Sequence, residues 1–236
     1  MPERTNKQYD AELESLRNRV LQMGGVVEQQ LTMATEALNA STLKPEIFNA
    51  VVSREAEVNQ TEMEIDEVCN HILARRQPTA IDLRSVLAAI KMIRDLERIG
   101  DEAEKIARMG LKIIEAGHHF MPAVDLQPIA RKAVAMLRKV LDSYARVNVT
   151  SAVEVVRADI EVDQEFKLIL HQLIKSMTDD GRSIERSIDI LFVAKAIERV
   201  GDHSKNMSEH VVYYAKGHDV RHMSPDVVEK RLRDDA

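Results

Sequence analysis

Apolar residues recur every three to four positions along nearly the whole chain, and almost no stretch alternates strictly between apolar and polar residues. This spacing is typical of amphipathic α-helices rather than strands. Prolines and the Asp179–Gly181 turn divide the pattern, because proline is tolerated in the first turn of a helix but not in its interior. The pattern predicts six helices, over residues 6–40, 45–75, 79–116, 126–147, 151–178 and 182–216.

A five-residue phrase occurs twice in the chain. Residues Glu97–Asp101 read ERIGD and residues Glu198–Asp202 read ERVGD, close to half a chain length apart. Self-similarity at a fixed period is the signature of repeated structural units. We therefore predict an all-α protein of two tandem antiparallel three-helix bundles related by internal duplication. The first repeat would occupy residues 1–118 and the second residues 119–217, and a polar tail over residues 218–236 is expected to be disordered.

The composition narrows the class of protein. Hydrophobic residues make up 44% of the chain, aromatic residues only 3%, and tryptophan is absent, so the core must be aliphatic. The net charge of −6 argues against a nucleic-acid-binding surface. A single cysteine, Cys69, cannot form an internal disulfide, and no apolar run reaches the ~18 residues that a membrane span needs. We expect a cytoplasmic protein that reaches a membrane only peripherally, through partners.

The repeated phrase places two acids on adjacent turns of a helix. Glu97 and Asp101 lie about 40° apart at the margin of the apolar stripe, and Glu198 and Asp202 are placed in the same way. Acids at this spacing repel each other, so a cation is expected nearby. A glycine inside each phrase costs about 1 kcal/mol relative to alanine. Its presence in both copies predicts that a neighbouring group or ligand approaches closely.

The preceding helix of each repeat carries a second acidic pair. Four carboxylates that converge from two helices form an all-oxygen site suited to Mg²⁺, Mn²⁺ or iron. Ordinary ion pairs with the flanking bases Arg94, Lys105, Lys195 and Lys205 are the structural alternative. The candidate metal ligands are Glu62, Asp66, Glu97 and Asp101 in the first repeat, and Asp159, Asp163, Glu198 and Asp202 in the second.

The duplicated phrase, the Gln77-Pro78 turn followed by Asp82-Leu83-Arg84, and the six-helix layout resemble the PhoU family of bacterial phosphate-signalling proteins. The resemblance implies a negative regulator of the phosphate-starvation response rather than an enzyme. Such proteins are homodimers that couple the ATPase subunit of the phosphate ABC transporter to a sensor histidine kinase. The resemblance also implies that metal binds at the acidic motifs named above.

One departure makes the two repeats unequal. Many family members have an asparagine one turn past the motif, as at Asn206, but the first repeat has Lys105 there. An ammonium group at that position predicts weaker cation binding in the first repeat. Two other functions stay open: an oxidase-like enzyme with a carboxylate-bridged pair of metal ions, which needs a histidine ligand, and a purely structural scaffold.

Overall fold

The structure, a computed structural model, describes residues 2–38, 44–115, 124–221 and 223–234. These residues form helices and connecting turns, with no strand among them. The helices are α1 (Pro2–Ala37), α2 (Pro45–Arg76), α3 (Ala80–Glu115), α4 (Gln127–Arg146), α5 (Val149–Asp179), α6 (Ile184–Lys216) and α7 (Pro225–Asp234), with one 3₁₀ turn at Gly181–Ser183. The prediction of an all-α protein is confirmed.

Local chemistry fixes several helix ends. Pro45 begins α2, where its missing N–H has no intrahelical partner to lose. The side-chain oxygen of Asn148 accepts a hydrogen bond from the backbone N–H of Ser151 at 3.2 Å, so this N-cap starts α5 two residues before the predicted position. Gly217 ends α6 in the left-handed conformation, with φ of 77°. Its N–H donates to the Tyr213 carbonyl at 2.8 Å.

Helices α1–α3 pack together as one three-helix bundle and α4–α6 as a second. The bundles meet mainly through α3 and α6, the two helices that carry the repeated phrase, and α3 packs more extensively on α6 than on any other helix. Lys112 Nζ lies 2.6 Å from Asp189 Oδ1, and the Arg84 Nε donates to the Tyr214 carbonyl at 3.2 Å. These two contacts, at opposite ends of α3, show that α3 and α6 run antiparallel.

One apolar cluster of buried residues extends through all seven described helices. It is built mainly of Leu, Ile, Val, Ala and Met side chains, as the low aromatic content predicts. The two bundles therefore share a core rather than being joined only by a linker. Among the described helices, none has a stretch that is both long and apolar enough for a membrane span.

The C-terminal tail differs from its prediction. Residues 225–234, expected to be disordered, form α7, which packs against α5. Val228 is almost fully buried, and Arg157 Nη2 of α5 lies 2.9 Å from carboxylate oxygens of both Asp226 and Glu229. Burial of Val228, together with these ion pairs, orders a segment that is largely polar. The predicted boundary between repeats, at residues 118 and 119, lies outside the described residues and stays a prediction.

Candidate functional site

The two motif glycines let a neighbouring helix approach closely. A Cβ built on Gly100 would lie 3.1 Å from Glu55 Oε2 and 3.3 Å from a methyl of Val58. A Cβ built on Gly201 would lie 3.2 Å from a methyl of Val162 and 3.6 Å from Asp159 Oδ1. In each repeat the close neighbour is therefore a valine and a carboxylate from the preceding helix.

This packing revises the helix register that the sequence suggested. Glu55 and Val58 face Gly100 as Asp159 and Val162 face Gly201. Glu55, rather than the predicted Glu62, is therefore the counterpart of Asp159 in the first repeat. A sequence signal for this existed: residues 55–59 read EAEVN and residues 159–163 read DIEVD.

Glu55 is the most perturbed carboxylate of the first repeat. Its side chain is buried, and this burial raises its pKa from 4.5 to about 7, a shift to which the charges of Asp101, Glu104 and Glu97 add. Gln30 Nε2 donates a hydrogen bond to Glu55 Oε2 at 3.1 Å, and this bond lowers the pKa of Glu55. Among the described residues, Glu55 Oε1 and Gln30 Oε1 have no hydrogen-bond partner. These two buried oxygens thus have no donor among the described side chains.

The motif acids of the first repeat lie beside an arginine. Burial raises the pKa of Glu97, and the charge of Asp101 adds to the effect. The charge of Arg98 lowers the pKa of Glu97. Arg98 Nε lies 3.3 Å from Glu97 Oε2, and Arg98 Nη1 lies 3.3 Å from Asp101 Oδ2. The cation expected beside these two acids is therefore supplied in part by Arg98, which belongs to the repeated phrase itself.

The predicted pair on α2 lies further along the helix. The pKa of Glu62 is raised. Burial is the largest cause, the charge of Asp66 is the next that raises it, and the charge of Asp101 has a weaker effect in the same direction. Asp66 accepts a hydrogen bond from the Asn70 side chain at 3.0 Å. Of this pair, Glu62 is an electrostatic neighbour of Asp101. We call Glu55, Glu62, Glu97 and Asp101 the first carboxylate set.

The four predicted acids of the second repeat are electrostatic neighbours. Burial raises the pKa of Asp159 and of Glu198, and the charges of Asp163 and Asp202 push both values in the same direction. Asp159 and Glu198 come from different helices, so the side chains of α5 and α6 form one acidic cluster. We call Asp159, Asp163, Glu198 and Asp202 the second carboxylate set.

Two lysines bind to the second carboxylate set. Lys205 Nζ lies 2.7 Å from Asp159 Oδ2, and Lys195 Nζ lies 2.6 Å from Glu198 Oε1. Lys105 of the first repeat pairs instead with Glu102: its Nζ lies 2.8 Å from Glu102 Oε1. The basis for expecting weaker cation binding in the first repeat is therefore wrong, because the ammonium groups lie in the second set.

Within the described parts of the chain, no three side chains of His, Cys, Asp or Glu come close enough together to hold a metal ion. The donors are nonetheless of the kind that hard cations prefer, since both sets contain only oxygen atoms. The ion-pair alternative accounts for Glu198 and Asp159, which already have lysine partners. It leaves the two unpartnered oxygens of Glu55 and Gln30 unexplained.

A second polar cluster joins the bundles and was not predicted. Asp95 of α3 accepts hydrogen bonds from two imidazoles of α6: His203 Nδ1 lies 2.9 Å from its Oδ1, and His210 Nε2 lies 3.1 Å from its Oδ2. Burial alone would raise the pKa of Asp95, but the two histidines hold it below its ordinary value. The histidine nearest the second motif is thus engaged across the interface rather than with the carboxylates.

Comparison with known proteins identifies the class to which this fold belongs. The model of the PhoU domain family matches residues 20–109 and 126–211, which correspond to the two bundles. The chain belongs to the PhoU family. A Serratia marcescens protein named phosphate-specific transport system accessory protein PhoU is 45% identical over 226 residues, which is 95% of this chain and 91% of that protein. The protein of the same name from Escherichia coli is 43% identical over 95% of this chain and 92% of its own length.

Solved structures agree with this assignment. The crystal structure of PhoU from Pseudomonas aeruginosa superposes with a TM-score of 0.85 at 38% identity, covering 89% of this chain and 100% of that one. The phosphate transport system regulatory protein PhoU from Streptococcus pneumoniae superposes with a TM-score of 0.82 at 26% identity. That match covers 90% of this chain and 99% of the other. The likeness therefore extends over both bundles.

Proposed function

We propose that this protein is a negative regulator of the phosphate-starvation response that modulates phosphate uptake. The observation that carries the proposal is the 45% identity, over 95% of the chain, to a protein named as an accessory of phosphate-specific transport. The Streptococcus pneumoniae relative is titled a regulatory protein. Accessory and regulatory names favour a role in signalling rather than catalysis.

The proposed mode of action is that of an adaptor. One surface would bind the ATPase subunit of the phosphate transporter and another the cytoplasmic part of a sensor histidine kinase. The protein would work in the cytoplasm as a homodimer and lie at the membrane only through these partners. The shared α3–α6 interface supports this mode of action, because a change in either bundle acts on the helix that packs against the other.

The adaptor proposal is tested by association and by regulation together. Purified protein is used to capture the transporter ATPase and the kinase cytoplasmic domain at high and low phosphate. In parallel, a phosphate-responsive reporter is measured in cells that lack the protein and in cells that regain it. We expect binding that changes with phosphate and a reporter that stays active without the protein. Association with neither partner at either phosphate level contradicts the proposal.

We further propose that the carboxylate sets hold a hard cation (Mg²⁺, Mn²⁺ or iron). A bound cation would neutralise the repulsion among the carboxylates of α2 and α3, or of α5 and α6. The first set is the better candidate, since Glu55 Oε1 and Gln30 Oε1 have no partner among the described residues. In the second set, Lys195 and Lys205 compete with a cation for Glu198 and Asp159.

Elemental analysis and calorimetric titration with Mg²⁺, Mn²⁺ and Fe²⁺ test the metal proposal. We expect Asp101→Ala to lower metal content more than Asp202→Ala does, and Glu57→Ala, which removes an exposed acid of α2, to leave it unchanged. Unchanged metal content and signalling in both aspartate variants would favour the scaffold. Anaerobic iron loading followed by oxygen would reveal an oxidase-like enzyme by turnover or by oxo-bridged absorption.

A further inference from the structure

The solvent-facing stripe of α6 changes character halfway along the helix. Its first half presents Ile184, Ile188 and Phe192, which are 45%, 41% and 61% exposed. These positions, four residues apart, lie within about 80° of one another around the helix. Ile174 of α5 is also exposed and lies on the stripe of α5 that contains Asp163. Together Ile174, Ile184, Ile188 and Phe192 form what we call the apolar patch.

A row of bases lies beside the apolar patch. Because α3 runs antiparallel to α6, the C-terminal half of α3 lies next to the N-terminal half of α6, as the 2.6 Å contact from Lys112 to Asp189 shows. The exposed stripe of this part of α3 carries the three bases Lys105, Arg108 and Lys112, each about half exposed, and ends at the exposed Glu115. We call these three residues the basic row. Each has one carboxylate partner on α3 or α6, and each keeps further N–H donors that face solvent.

The opposite end of the α3–α6 pair lacks this combination. The positions equivalent to the α6 stripe are Leu83, Leu87 and Lys91, all of which are only partly exposed. Those equivalent to the basic row are Asn206, Glu209 and Tyr213. The duplication therefore does not explain the apolar patch or the basic row, and an exposed apolar patch with a polar rim marks an interaction site.

We propose that the apolar patch and the basic row together bind an amphipathic helix with acidic flanks, supplied by a protein partner. The apolar stripe from Ile184 to Phe192 is about 12 Å long at 1.5 Å per residue, which matches two to three turns of a partner helix that presents leucine-like side chains at i and i+4. The basic row then faces the acidic flank of that helix and sets its orientation.

Charge favours a protein helix over a lipid surface. An anionic membrane laid on this face would also cover two carboxylates on the same stripes: Asp202, nearly three turns beyond Phe192 on α6, and Asp101, one turn from Lys105 on α3. Those carboxylates would repel the lipid headgroups. A helix of two to three turns seated over the apolar patch, Arg108 and Lys112 leaves both carboxylates uncovered. The inference rests on the proposed adaptor function, since it gives the chemistry of one partner segment.

The test is a fluorescence anisotropy titration of the full chain with a labelled amphipathic peptide of about 14 residues, carrying leucine on one face and glutamate on the flanks. A second peptide with lysine in place of glutamate is the control. We expect Phe192→Glu to weaken binding of the acidic peptide about tenfold or more. Leu168→Glu is the matched control, because Leu168 is 59% exposed but lies about 120° around α5 from Ile174. Arg108→Glu should weaken binding about fivefold and shift preference toward the lysine peptide.

Several outcomes would overturn the inference: equal binding of both peptides, equal losses from Phe192→Glu and Leu168→Glu, or binding of neither peptide. So would binding of the protein to phosphatidylglycerol vesicles, but not to the peptide, with a loss in Phe192→Glu. The titration uses neither the transporter nor the reporter. Failure here with normal phosphate regulation therefore rejects the surface and leaves the adaptor function standing.

Discussion

Replacing Glu55 with Gln is expected to stabilise this protein at neutral pH and to have little effect in acid. The Glu55 side chain is 7% exposed, and its burial raises the pKa from 4.5 to about 7. Below pH 4.5 the carboxyl group is protonated in both the folded and the unfolded chain. Between pH 4.5 and 7 the unfolded chain ionises while the folded one holds its proton, so the folded state loses stability as pH rises.

The size of the loss follows from the pKa. At about 1.4 kcal/mol for each pKa unit, the ionised Glu55 costs the folded state about 3 kcal/mol above pH 7. That is a large share of the roughly 5–15 kcal/mol by which domains are stable. The amide of the variant removes this cost, because it does not titrate. It still accepts from Gln30 Nε2 and can donate to Gln30 Oε1, which has no partner among the described residues.

The assay is urea unfolding of wild type and Glu55→Gln at pH 4.5 and pH 8, in chelator so that no cation is bound. Comparing the two proteins at each pH cancels the titration of all other groups. We expect the free energy of unfolding of the variant, minus that of wild type, to be about 3 kcal/mol larger at pH 8 than at pH 4.5, because the variant is the more stable protein at pH 8. Glu57→Gln, at an exposed position of α2, is the control and should show no such change. A Glu55→Gln effect that is the same at both pH values would refute the reasoning.

Three further predictions concern packing. Gly110→Ala places a Cβ 2.5 Å from the Phe48 ring and should lower the free energy of unfolding in urea by about 1–3 kcal/mol. Gly25→Ala, with nothing within 4 Å of the new Cβ, is the control and should raise it by up to about 1 kcal/mol. Equal effects of the two substitutions would contradict the packing. Asp95→Ala leaves two imidazoles at the bundle interface without their acceptor and should cost about 1–3 kcal/mol, and an unchanged unfolding midpoint would show that this cluster contributes nothing. Val228→Asp should release α7, seen by mass spectrometry as fast amide exchange confined to residues 225–234; continued protection there would mean that other contacts hold the helix.

The sequence predicts the helices well because their signals are local. Apolar periodicity and the proline positions give six helices, and the observed ends differ by only a few residues. Asn148 shows the limit, since its capping hydrogen bond starts α5 slightly earlier than the periodicity indicates. The missed helix α7 has the opposite cause. Its segment is polar overall, and tertiary contacts order it: burial of Val228 and the ion pairs with Arg157 of α5.

The candidate site was harder to predict because it depends on how one helix is placed against another. Glu62 and Asp66 have the acidic spacing expected of a partner helix, but the contact between Gly100 and Val58 sets the register of α2 and brings Glu55 to the motif. Side-chain direction is a second such variable. Lys105 and Lys205 occupy similar sequence positions, yet one binds Glu102 and the other Asp159.

The antiparallel α3–α6 pair has a consequence for synthesis of the chain. The ribosome completes α3 before it makes α4 and α5, and only then α6. Synthesis proceeds at about 5–20 residues per second, so the face of α3 that will pack on α6 is exposed for several seconds before α6 is made. Asp95 and Glu102 lie on that face, and their partners His203 and Arg199 come from α6. Before α6 is made, Glu102 has Lys105 of α3 as a partner, whereas Asp95 leaves a charge on this surface that opposes its association with other nascent chains.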